Sequence, residues 1–474
     1  MSEQVEELWR RARPAFGEEG LWERARTLGM SVLTCLGRRT VTGMLTASGQ
    51  QDRDWSAAYR LFEEARYDPE QLFAPAREEV LARLPEGARV TGFLDDTLFG
   101  KRGRRVAGAS WRRDPLGPPF QTNLIWAQRF VQTALALPEG KGAARARAIP
   151  VQLQHAPTAP RPTRSAPPEA WARYRQEQQV SSLSWIGVAQ MCALREALDR
   201  DPRGRARLLL LAVDGSYTNR TVFRGLPPRT EVIGRVRKDA ALFSPPKASP
   251  GRGRPRVYGS PLPTPEQVRQ DPSFPWQQVE AYAAGRVHTF HVKTVAPVRW
   301  KAAGERDLLL LVVRPLAYRP RKGSRVLYRE PAYLLCSTLT LPLAELLQAF
   351  LWRWETEVAF REEKSLLGMG EAQVRTTPAV ALLPAFVAAM YAYLHVAGAA
   401  AHEHCRNRLT LPKWRVTSPQ ARCTTSQLQG LLRAELWGRA LGVTIGGFGN
   451  VPQTHPKPLK IDSAPAAAII YAQS

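Results

Sequence analysis

The sequence predicts an α/β protein: a mixed sheet with acids at its strand ends, a helical unit before it and a β-rich segment interrupting it late in the chain. Three observations lead there. Val90–Leu94 and Leu208–Val213 are unbroken apolar runs of strand length, as in strands buried on both faces, and aspartate closes each: Asp95 and Asp96 after the first, Asp214 after the second. Residues 279–338 alternate like antiparallel strands. Phe350–Gly368 contains no proline and its only glycine is its last residue, so it reads as one helix.

The elements follow in chain order. Residues 1–88 read as amphipathic helices, among them EQVEELWRRARPAF, GLWERARTLGMSVLTCL, WSAAYRLFEEA and PAREEVLARL. Together with the basic, small-residue stretch GRRTVTGML at 37–45 they suggest an N-terminal helical DNA-binding domain, with a helical packing domain as the alternative. Residues 89–240 form the first part of the core. The Asp95 strand leads into GKRGRR, whose Lys101 and Arg102 stand beside the acids, and VAGASWRRD and RFVQTALALP read as two more strands. A Pro-rich loop at 156–168 precedes one long helix, PEAWARYRQEQQVSSLSWIGVAQMCALREAL, and then the Asp214 strand. Residues 241–338 form the β-rich insertion, opened by a basic Pro/Gly loop; 339–400 hold the second part of the core; 401–474 form a C-terminal extension.

Composition narrows the function. A net charge of +25 and a pI near 10.5 point to a polyanionic partner, above all nucleic acid. Five scattered cysteines without a CxxC pair suit a reducing interior and exclude a zinc knuckle. Thr376–Ala401 carries no Asp, Glu, Lys or Arg and is long enough for a membrane span, but its alanines, Pro384, Tyr391, Tyr393 and His395 mark it as a buried helix packed on a sheet. HEHC at 402–405 lacks the second cluster a metal site needs, GGFG at 446–449 reads as a turn, and GRGRPR at 251–256 suits either a minor-groove contact or a surface loop.

On the Phe350–Gly368 helix, Phe350, Arg353, Glu357, Phe360 and Lys364 are spaced by three, four, three and four residues, which stacks them on one face. Glu355, Glu362 and Glu363 fall on other faces and read as solvated. Two strand-end aspartates and a helix glutamate in a basic chain make a candidate three-carboxylate metal site. Such hard oxygen ligands suit Mg²⁺, and two ions about 3.5–4 Å apart can clamp both oxygens of an in-line phosphoryl displacement. Arg353 and Lys364 would then hold phosphate oxygens.

The spacing from Phe350 through Arg353 and Glu357 to Lys364 resembles the Y-x2-R-x3-E-x6-K signature of DDE transposases of bacterial insertion sequences. The sequence DDT at 95–97 is similar to that family's first-aspartate context, and VDGSYTN with IGRVRKDA downstream to its second. The resemblance covers about residues 38–400. It implies a ribonuclease-H-like mixed-sheet core interrupted by a β-rich insertion, and a cytoplasmic, nucleoid-associated enzyme that cuts and joins double-stranded DNA at element ends as a homodimer. It also implies Asp95, Asp214 and Glu357 as ligands of two Mg²⁺ ions (Mn²⁺ can substitute), with Asp96 the alternative to Asp95. By the same resemblance Arg353, Lys364, Phe350, Lys101 and Arg102 would face DNA. Phe350 stands where the family has tyrosine and cannot donate that hydrogen bond. Some members stack a base on an insertion-domain aromatic, for which Trp276 and Trp300 are the candidates, packing being the other use of such residues. A non-catalytic DNA-binding descendant of such an enzyme is the alternative function.

Overall fold

The computed structural model describes residues 1–440 apart from 51, 53, 115, 116, 119, 247–255, 320–322 and 406–421. The GGFG turn and all of the GRGRPR loop but Arg256 therefore lie outside the described residues, as do the side chains of HEHC.

Five helices come first: α1 (Ser2–Arg11), α2 (Glu19–Thr34), α3 (Val41–Ala47), α4 (Ser56–Glu63) and α5 (Pro69–Arg83). The sheet then begins with β1 (Val90–Gly100), β2 (Ser110–Arg113), β3 (Leu124–Pro138) and β4 (Ala146–His155). Helices α6 (Pro168–Val180) and α7 (Leu183–Arg200) lead to β5 (Leu209–Val213), α8 (Arg220–Arg224) and β6 (Thr230–Arg235). The β-rich segment holds β7 (Leu242–Phe243), α9 (Pro265–Gln270), β8 (Gln277–Ala283), β9 (Arg286–Trp300), β10 (Asp307–Val313), β11 (Ala317–Tyr318), β12 (Leu327–Tyr328) and β13 (Ala332–Cys336). The chain closes with α10 (Leu343–Trp352), α11 (Trp354–Leu366), α12 (Thr377–Cys405) and α13 (Thr425–Ala440).

Among the described residues eleven strands form one mixed sheet in the order β2-β3-β1-β5-β6-β13-β10-β9-β7, with β4 also on β3 and β8 on β9. Three antiparallel strands (β4, β3, β1) followed by two parallel ones (β5, β6) are compatible with a ribonuclease-H-like core. The strands of the β-rich segment extend this sheet, since β13 pairs antiparallel with β6.

Three local expectations are corrected. Asp95 and Asp96 do not end their strand: β1 runs on to Gly100 along β3, while its parallel neighbour β5 stops opposite Leu94. The helix expected over 168–198 breaks at Ser181 and Ser182, where the Ser182 hydroxyl caps α7 by accepting from Trp185 N. Phe350–Gly368 is not one helix either. Arg353 separates α10 from α11 in a tightened turn, with its N–H on Phe350 O at 3.2 Å and its carbonyl accepting from Thr356 N at 3.0 Å. Beside that turn the Trp352 indole donates to Ala144 O at 2.8 Å, and Phe350 lies in the last turn of α10.

The charge-free stretch is α12. It is long and apolar enough to cross a membrane, yet 89% of its most apolar window is buried inside the fold. It lies between β4 and the N-terminal helices. Trp9 packs edge-on to Tyr393 with ring centroids 5.8 Å apart, and the Tyr393 hydroxyl donates to Leu72 O at 2.7 Å. At Gly29 of α2 a side chain would run into Trp9 and Met390, so the contact requires glycine there.

Candidate active site

The pleat separates the two adjacent aspartates. Side chains alternate across a strand, and Asp95 lies opposite Gln132 of β3. Phe93, Asp95, Thr97 and Phe99 therefore share one sheet face with Gln128, Phe130 and Gln132, and α11 covers that face. Asp96 points the other way, toward Arg129 at 3.3 Å and the Tyr217 hydroxyl at 3.5 Å. Asp95, not Asp96, meets the late helix: Arg353 Nη1 lies 2.9 Å from Asp95 Oδ2, and its Nη2 lies 3.1 Å from Glu357 Oε1. Asp214, at the N-cap of a short turn after β5, is near enough to repel both.

The electrostatics match a crowded carboxylate site. Burial pushes Asp95 up to about 7, and Asp96 and Asp214 push the same way, against Arg353 and the Asp96 N–H. Burial and then Asp214 raise Glu357, opposed by Arg353. Asp96 is raised by burial and Asp214, against Arg129. Three oxygen-donor side chains short of countercharge suit a divalent cation in chemistry. As the residues stand, however, the Arg353 guanidinium occupies the space between Asp95 and Glu357, and among the described residues no three His, Cys, Asp or Glu side chains are close enough to share an ion.

The other sequence candidates are spread more widely. Lys364 lies with its Nζ 5.5 Å from the centroid of the Phe99 ring, on the Asp95 face, its pKa lowered by burial. Lys101 donates to Gly370 O at 2.9 Å and burial pulls it down to about 8, whereas Arg102 is exposed. Trp300 ends β9, five strands from β1, or about 24 Å across the sheet. It packs edge-on to Phe223, ring centroids 5.6 Å apart. Trp276 covers the Lys293 ammonium, 4.6 Å from its ring centroid.

The acids expected to be solvated on α11 are not. Glu362 accepts from Tyr391 and Thr425, Glu355 from Arg422, and Glu363 is fully buried against the sheet near Gln132. The burial of Glu363 is a product of tertiary packing, α11 laying it near Gln132 of β3, a neighbour far away in sequence. Gln128 and Gln132, four apart on β3 and so on one face of it, are the sequence signal of a buried polar patch on the face that α11 covers.

A family model described as DDE superfamily endonuclease matches residues 16–302, which include Asp95 and Asp214 and stop short of Arg353 and Glu357. No curated protein matches the chain at a significant level. With a match over more than half of its length, and with the late-helix glutamate brought against the first-strand aspartate, this chain belongs to the DDE superfamily endonucleases.

Proposed function

We propose that this endonuclease is a DDE transposase that cleaves double-stranded DNA at insertion-sequence ends and transfers the cut strand. The observation that carries the reading is the Arg353 bridge, which ties the α11 glutamate to the β1 aspartate with Asp214 alongside. Asp95, Asp214 and Glu357 would hold the divalent ions; Mg²⁺ or Mn²⁺, when bound there, polarises the phosphate and makes its bound water a nucleophile.

The chain's own residues do the positioning. Arg353, drawn off the acids, offers a planar fork of donors to phosphate oxygens. Lys101, at about 8, keeps most of its charge at neutral pH, and with Arg102 and Lys364 it supplies cations on the DNA side of the sheet. In this reading the N-terminal helices bind DNA, Trp276 and Trp300 serve packing, and two copies pair the two ends.

The test is nicking of supercoiled plasmid with Mg²⁺ and with EDTA, for wild type, Asp95→Asn, Asp214→Asn and Glu357→Gln. Mg²⁺-dependent nicking lost in all three variants, with plasmid binding retained, is the expected result. Binding without nicking by the wild type would overturn the enzyme in favour of a DNA-binding regulator.

A further inference from the structure

Beside the acids the sheet carries an exposed basic and aromatic ribbon, of which the proposed site uses only Lys101 and Arg102. Residues 100–113, GKRGRRVAGASWRR, contain six cations and no acid. Strand β2 pairs with the start of β3 so that Trp111 lies opposite Trp126, ring centroids 5.7 Å apart. Trp111 is 66% exposed, a large apolar ring left in water. The Trp126 indole donates to Gly103 O at 3.0 Å, and Lys101 N donates to Trp126 O at 2.8 Å. These bonds pin the arginine loop to the ribbon. Arg102, Arg104 and Arg105 are exposed on that loop and Arg113 on β2, and none of the four is in an ion pair among the described residues.

The register fixes where this patch lies. Trp126 and Gln132 are both even-numbered on β3, whose register with β1 is unbroken from Leu135 to Ala127 and is followed by Lys101 N on Trp126 O, so Trp126, and Trp111 opposite it, fall on the Asp95 face. Six residues of strand separate Trp126 from the Asp95 level, about 20 Å. That is about six nucleotides along a duplex strand. On the other face of β2, Arg112 donates to Ala156 O and Thr158 Oγ1, which ties the ribbon down and makes it a fixed surface.

An exposed indole on a ribbon whose strand and adjoining loop carry arginines without an ion pair among the described residues is complementary to a nucleic-acid strand: the ring stacks on a base and the guanidinium groups take the phosphates. We propose that the β2–β3 ribbon is a DNA-binding platform of this enzyme, with Trp111 stacking on an unpaired base of the strand that leaves the catalytic acids and Arg102, Arg104, Arg105 and Arg113 holding its backbone. The proposal rests on the DNA-cleaving reading and names the contact that reading lacks.

The test is binding of a fluorescently labelled oligothymidine and of a labelled duplex to the full chain in EDTA, where no cutting occurs, at one fixed salt concentration. The variants are Trp111→Ala, Trp111→Phe and, as an exposed-tryptophan control, Trp185→Ala on α7. Stacking predicts that Trp111→Ala weakens oligothymidine binding by about tenfold to a hundredfold. Trp111→Phe should stay within a few-fold of wild type, and Trp185→Ala should bind as wild type does. Wild-type affinity in Trp111→Ala would overturn the platform and leave the DNA reading intact. A wild type that binds neither probe would sink the DNA reading itself. Unchanged affinity with a dimer converted to monomer in Trp111→Ala, read by light scattering, would make the ribbon a contact between copies and overturn the platform.

Discussion

Glu363→Gln should change how stability depends on pH. Glu363 sits on α11, fully buried, and among the described residues neither carboxyl oxygen has a hydrogen-bond partner within normal geometry. Burial pushes the group up to about 8; the nearby Gln132 amide and Lys364 ease the charged form only in part. The unfolded chain ionises near the ordinary 4.5, so between 4.5 and about 8 the unfolded state sheds a proton that the folded state keeps. Stability from this group is therefore full below 4.5 and lost as pH rises to about 8. At about 1.36 kcal/mol per pH unit, the whole window is worth on the order of 5 kcal/mol. Glutamine has the shape of the neutral acid and does not ionise. Thermal unfolding of wild type and Glu363→Gln from pH 5 to pH 9 should give Tm curves that diverge steadily and stop diverging above about pH 8, the variant being higher by several degrees. Parallel curves would show that Glu363 is not held neutral in the fold, and the reasoning from its burial would fail.

Three further outcomes are expected. Asp96→Asn, on the far face of β1, should keep plasmid nicking within a few-fold of wild type, while Asp95→Asn loses about a hundredfold or more in the same assay. Lys293→Met should cost about 3 kcal/mol in urea unfolding, because the buried ammonium donates to the carbonyls of Val268, Arg269 and Asp271 at 3.1, 3.0 and 2.7 Å, where α9 ends. Gly29→Val should destabilise by about 1–3 kcal/mol by pushing on Trp9 and Met390. Its thermal transition should stay single, because the N-terminal helices share a core with α12; an early separate step would show that they unfold alone.

The parts of this fold legible in the sequence are those written in short-range pattern. The runs Val90–Leu94 and Leu208–Val213 became the parallel pair β1 and β5, and the charge-free stretch became the buried α12. Strand β4 was not read, because ARAIPVQLQH carries a proline and a weak alternation, and long-range pairing with β3 makes it a strand. Where β1 ends was hidden for the same reason: polar Asp95, Asp96 and Thr97 look like a turn, but pairing with β3 carries the backbone through them. In the site, the acids were readable by type and the DDT context favours Asp95 over Asp96; that Asp95 lies on the face α11 covers is tertiary packing, which the sequence does not carry. The break at Arg353 carried no proline or glycine to announce it. It accompanies Trp352 reaching Ala144 and Arg353 reaching Asp95, contacts distant in sequence, with Glu357 one turn on as the second carboxylate.

The Arg353 bridge also sets a thermodynamic bargain. A guanidinium resting on Asp95 and Glu357 is a counter-ion supplied by the chain itself, and anything else that uses those oxygens must first dislodge it. In the proposed function, where the carboxylates would hold the metal and Arg353 would take a phosphate, metal and DNA would cease to be independent ligands. A phosphate that draws Arg353 toward itself bares the carboxylates, and a cation that takes the carboxylates frees Arg353 for the phosphate. Linkage requires each to raise the affinity of the other by the same factor. Under the proposed function, the chain without metal or DNA rests with its own arginine across two of its acids.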